Sequence, residues 1–147
     1  MRHSVILFIF LLAACKDKKD PRLLEKEENI KSFYKSQLNK PVPENGIIVI
    51  LQNQQCVACR QDIFLTFSKL LKNNGLSKTF ILARPDTVLI TLISNFPRSN
   101  IEFDTRHKLR DYGLDYAADL CLLMKDGQLK KCFEISNSNL ENMHSIE

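Results

Sequence analysis

The chain has 147 residues, 44% hydrophobic and 26% charged, with four glycines, five prolines, five cysteines and no tryptophan. This is the arithmetic of one globular domain and excludes two packed domains, a disordered chain and a collagen; a chain near this length buries about two thirds of its unfolded surface, enough for a core without obligatory staples. The formal net charge of +4 falls by one when Arg2 leaves with the leader described next, and it is too weak and too scattered for a nucleic-acid footprint.

Met1-Arg2-His3 is a short basic start, Val5 to Leu12 is an unbroken apolar run, and Leu12-Ala13-Ala14-Cys15 ends in small residues before a cysteine. The pattern predicts a signal peptide over residues 1–14. Its apolar run is shorter than the roughly 20 residues of a membrane-spanning helix. The junction resembles the lipobox of bacterial lipoproteins, and that resemblance implies that Cys15 becomes the acylated N-terminus, with more than one acyl chain for stable anchoring in the membrane. The alternative is an ordinary secreted protein with a stray cysteine. Lys16-Asp17-Lys18-Lys19-Asp20-Pro21 is a solvated charge run and reads as a tether over residues 15–21. Lys16 stands where an aspartate would resemble an inner-membrane retention signal in enteric bacteria, which leans towards the outer membrane. Export places Cys56, Cys59, Cys121 and Cys132 where disulfides form and persist.

Residues 22–147 then read as one domain. Leu23, Ile30, Phe33, Tyr34 and Leu38 have helical spacing over residues 22–39, and Pro41-Val42-Pro43-Glu44-Asn45-Gly46 forces a break. Ile47-Ile48-Val49-Ile50-Leu51 is the continuous apolar run of a central strand buried on both faces. From Cys56 to Asn73 the positions Cys59, Ile63, Phe67, Leu70 and Leu71 form one helical stripe, ended by Asn73-Asn74-Gly75. A strand is predicted over residues 79–83, a helix after Pro85-Asp86 that Pro97 stops, a short strand over 101–104 and a short helix over 106–112 capped by Gly113. The β-branched residues of the segment after Pro85 also allow a strand. Residues 120–125 and 128–135 flank Asp126-Gly127, a strong hairpin signal, and the tail reads as a last helix. The order β-α-β-α-(β)-α-β-β-α predicts an α/β sandwich, a mixed sheet with helices on both faces.

Cys56-Val57-Ala58-Cys59 leaves the central strand through residues 52–55 and enters a helix. In that context a C-x-x-C pair reads as redox chemistry. The unpaired N–H groups and dipole of a helix N-terminus favour a thiolate, which makes Cys56 the attacking nucleophile. Cys59, one turn in, is placed to resolve a mixed disulfide. Arg60 adds positive charge. Asp62 is placed to move the proton of the resolving thiol, or is a solvated surface acid.

These residues resemble the thioredoxin-like superfamily, and within it the membrane-tethered reductases of the TlpA kind. The likeness rests on residues 47–51 leading into Cys56-Val57-Ala58-Cys59-Arg60-Gln61-Asp62, on Asp104 with Leu109 and Tyr112-Gly113-Leu114, and on Leu122-Leu123-Met124-Lys125-Asp126-Gly127. It implies a three-layer sandwich and a thiol-disulfide oxidoreductase acting on protein thiols outside the cytoplasm, with no cofactor. Three positions depart from the pattern. Gln55 replaces the usual aromatic residue before the first cysteine, Val57-Ala58 lacks proline, and Ala118 stands where the family has a cis-proline facing the cysteine pair in its substrate groove. A cis bond before a non-proline residue costs about 3 to 4 kcal/mol, so a trans loop is expected at Ala118. The other reading is a non-catalytic thioredoxin-fold lipoprotein that acts as a binding or scaffold module.

Counting outward from the turn, Lys125 faces Gln128 and Cys121 faces Cys132, which allows a cross-strand disulfide; the alternative is two small residues that never pair. The spacing of the four thiols does not match a zinc-ribbon rhythm, so no metal is expected. His107 and His144 read as surface residues and Asp104 as a turn acid.

Overall fold

The computed structural model describes residues 20–52, 65–69, 71–72, 75–83, 87–136 and 138–139. Helix α1, Pro21–Phe33, begins where the Asp20 carboxylate accepts the Arg22 N–H at 2.9 Å, with proline at a first-turn position where its missing N–H is no loss. It runs on as a π-helical turn, Tyr34–Leu38, and stops at Asn39 in the left-handed conformation. The apolar stripe predicted over residues 22–39 is real: Ile30, Phe33 and Tyr34 are buried.

Five strands form one mixed sheet in the order β3-β2-β1-β4-β5. Strand β1, Gly46–Leu51, lies at the centre, parallel to β2, Ser77–Leu82, and antiparallel to β4, Leu120–Lys125. Strand β3, Ile101–Phe103, continues the sheet parallel to β2, and β5, Gln128–Glu134, closes the other edge antiparallel to β4. Every residue of β1 is buried, as its unalternating apolar run predicted. Helix α2, Thr87–Leu92, settles the ambiguous segment after Pro85 as helix.

The sheet separates two apolar clusters. Ile47, Val49 and Leu51 pack with Phe67 and Leu71, from helical residues 65–69 and 71–72, and with Ile93 after α2. Ile48 and Ile50 point the other way, against Ile30, Phe33 and Tyr34 of the N-terminal helical segment. Each such fully buried branched side chain contributes about 1.5–3 kcal/mol relative to exposure. The molecule is therefore an α/β sandwich with helices on both faces of a mixed sheet.

The hairpin turn forms as predicted. Asp126 and Gly127 both have positive φ, 54° and 68°, as a primed two-residue turn requires. The pairing beyond it does not continue as the straight count expected. Lys125 faces Gln128 and Met124 faces Leu129, but Leu123 faces Lys131, which leaves Lys130 as an extra residue in a bulge. From there outward the register is displaced by one, so Cys132 lies opposite Leu122 and Cys121 opposite Phe133. A one-residue displacement exchanges the faces of a strand. Cys121 joins the cluster with Val49 and Phe133, whereas Cys132 packs against the cluster that holds α1. The expected Cys121–Cys132 pairing is thereby corrected: the two residues do not face each other and no disulfide joins them.

Candidate functional site

The three parallel strands end together. The carboxyl end of β1 runs into Gln52, that of β2 into Ala83 and that of β3 into Asp104. With His107, Leu109, Arg110 and Asp115 these residues line a cleft of about 250 Å³. Clefts outside the carboxyl ends of parallel strands are where open α/β sheets seat their ligands.

Each side of the cleft is built by a polar residue drawn inside. Asp104 is 5% exposed and its two oxygens accept the N–H groups of Lys108, at 2.7 Å, and Leu109, at 2.9 Å. It thus starts the 3₁₀ segment Lys108–Tyr112, which Gly113 ends in the left-handed conformation. Asp104 does more than the turn acid expected from sequence. His107, exposed as expected, also has a positive φ of 54°, uncommon for a residue other than glycine.

Gln52 is 2% exposed; its side-chain Nε2 donates to the Leu114 carbonyl at 2.8 Å, while its Oε1 is buried without a partner. Its backbone N–H donates to Asp119 Oδ1 at 2.7 Å. That bond fastens the end of β1 to the loop entering β4. Ala118, one residue before Asp119, is half-buried on this loop, and its peptide bonds are trans, as expected.

Gln55, Cys56, Cys59, Arg60 and Asp62 lie outside the described residues, as do Cys15 and His144. The described structure supplies their frame. Cys56 follows Gln52 by four residues in the sequence. The structure therefore brings the Ala118 loop to the end of the strand that leads into the cysteine pair. It does not bring Cys121 and Cys132 into that region as a disulfide. Among the described residues no group of three or more His, Cys, Asp or Glu could hold a metal ion, and no helix is long and apolar enough to cross a membrane.

Sequence reading passed over Gln52 and Asp119. Gln52 carried a weak signal, the first polar residue after an apolar strand; Asp119 carried none until the fold set it beside β1. Comparisons with protein families, with curated proteins and with solved structures return no match to this chain.

Proposed function

We propose that this protein is an extracytoplasmic thiol-disulfide oxidoreductase of thioredoxin-like architecture, held to the membrane by lipid on Cys15. The observation that carries the reading is topological. Residues 56–59, the C-x-x-C pair, follow central strand β1 in the sequence after residues 52–55, in a sheet whose β2-β1-β4-β5 portion combines one parallel crossover with a C-terminal antiparallel hairpin. The Gln52 to Asp119 bond supports it by holding the Ala118 loop at the end of β1, the strand that precedes the cysteine pair in the sequence.

In the reducing direction the Cys56 thiolate attacks one sulfur of a protein disulfide. The substrate S–S bond breaks, an intermolecular disulfide forms, and the leaving thiolate takes a proton. Cys59 then attacks Cys56 Sγ, forming the Cys56–Cys59 bridge and releasing the second substrate thiol, so two electrons pass to the substrate. Arg60 favours the thiolate and Asp62 accepts the proton of Cys59. The partners are protein thiols or disulfides in the periplasm or at the cell surface. No cofactor enters the cycle.

The second reading, a binding or scaffold module with a structural bridge, is favoured by the trans loop at Ala118. The reduction potential of the Cys56–Cys59 couple separates the two. A reversible couple between about −120 and −270 mV marks a working oxidoreductase, whereas a bridge that resists reduction below about −300 mV marks a structural one. A Cys59→Ala chain gives a second readout: the enzyme accumulates mixed disulfides through Cys56, and a scaffold traps none.

A further inference from the structure

Away from the cleft, on the face of the sheet covered by α1, three side chains meet: Lys26 of α1, Cys132 of β5 and Tyr116 of the loop before β4. Lys26 Nζ donates to Cys132 Sγ at 3.6 Å and lies 4.9 Å from the centre of the Tyr116 ring. The elements that carry the pair are fixed to each other. Glu27, the next residue along α1, accepts the Leu129 N–H of β5 at 2.8 Å. The bulge at Lys130 turns Cys132 towards α1 and leaves Cys121 on the opposite face. An oxidised Cys132 therefore finds an amine beside it. Cys132 is only half-buried.

We propose that Lys26 and Cys132 are a modification site, joined by molecular oxygen into a nitrogen–oxygen–sulfur bridge. The reacting groups are the neutral Lys26 amine, whose extra proton goes to water, and the Cys132 thiol. One N–H and the S–H bond break, one oxygen atom is inserted as N–O and O–S bonds, and the second oxygen atom leaves as water with the two hydrogens. Nitrogen and sulfur each give up two electrons, and the four electrons reduce the oxygen molecule. Reversal consumes four thiols of a reductant, which leave as two disulfides while the bridging oxygen leaves as water. The bridge ties α1 to β5 across 106 residues of sequence, so it acts as an oxygen-dependent staple between the helix and the sheet edge. Closing so long a loop restricts chiefly the unfolded chain.

The test is peptide mapping by mass spectrometry of the full-length chain, kept reduced without air and then held in air-saturated buffer. The expected product joins the peptides of Lys26 and Cys132 with one oxygen gained and two hydrogens lost, disappears on treatment with excess dithiol, and is lost in both Lys26→Arg and Cys132→Ser. It persists in a Cys56→Ala, Cys59→Ala double variant, which keeps this test separate from the fate of the oxidoreductase reading. The proposal is overturned if Lys26→Arg gives the same product. It is equally overturned if Cys132 proceeds to sulfinic acid or to an intermolecular disulfide while the Lys26 peptide stays unmodified.

Discussion

Two inward-turned carboxylates join this molecule at the scale of the residue. Asp104 satisfies two N–H groups at the start of the 3₁₀ segment Lys108–Tyr112. Replacing it by alanine removes both acceptors, and the expected loss is about 1–2 kcal/mol, that of a strong cap. Asp104→Asn keeps one side-chain oxygen and loses less; urea denaturation of the two variants measures the difference, and equal losses would assign the effect to packing. Asp119, 7% exposed, satisfies the Gln52 N–H, itself buried. Asp119→Ala strands that donor, for an expected cost of about 1–3 kcal/mol. Because Gln52 leads to Cys56, the same substitution should also slow disulfide exchange by the proposed cysteine pair. Normal exchange in a destabilised Asp119→Ala protein would detach this bond from the chemistry.

At the scale of elements, α1 is tied to β5 through Glu27. Glu27 is 9% exposed, and its carboxylate meets both the Leu129 N–H at 2.8 Å and Lys31 Nζ at 2.6 Å. The ion pair with the partly exposed Lys31 contributes little. The bond to Leu129 matters more, since it satisfies a buried backbone donor beside the bulge. Glu27→Ala should cost about 1–3 kcal/mol and speed hydrogen exchange at the Leu129 amide, while Glu27→Gln, which keeps an acceptor, recovers part of both. Unchanged exchange at Leu129 in Glu27→Ala would show that the helix does not guard this strand.

The same hairpin shows what a sequence discloses. Strand β1 was legible because five consecutive apolar residues, four of them β-branched, suit a strand covered on both sides, and Asp126-Gly127 was legible because both residues tolerate positive φ. The bulge was not. Period-two alternation from Leu129 places Lys131 and Phe133 on one face, whereas the structure puts Leu129 and Cys132 together and turns Phe133 away. Two successive lysines, Lys130 and Lys131, leave the alternation with no apolar residue to fix its phase, so the helix packed on β5 decides it. The cysteine pair of the candidate site is plain as a motif because its spacing is local. The Gln52 to Asp119 bond spans 67 residues, and the Lys26 contact with Cys132 spans 106; only the closed sheet makes such neighbours.

For the molecule as a whole, the sheet holds a thiol in each of its two apolar clusters, and both respond to pH in the same sense. Burial pushes the Cys121 thiol far above its ordinary value of 9.0. Burial also raises Cys132, with Lys26 pulling the other way, and raises Tyr34 above 10.0. These acids are neutral in the folded protein at pH values where the unfolded chain has already ionised them. Below their unfolded values both states hold the proton, and the stability from burying the neutral group is fully present. Above them the folded state binds more protons than the unfolded one, so stability falls as pH rises towards the folded values. For Cys121, fully buried, the slope approaches about 1.4 kcal/mol per pH unit above pH 9. Lys78, lowered by burial from 10.5, works in the opposite sense and only near that higher pH. Urea denaturation between pH 7 and pH 10 should therefore show a flat region followed by a decline. Cys121→Ala should begin less stable, because a buried sulfur is lost, yet decline more shallowly. A decline of equal slope in wild type and Cys121→Ala would mean that the fold opens around β4 before this thiol is asked to ionise, and would move the alkaline weakness to the α1 face, where Cys132 and Tyr34 reside.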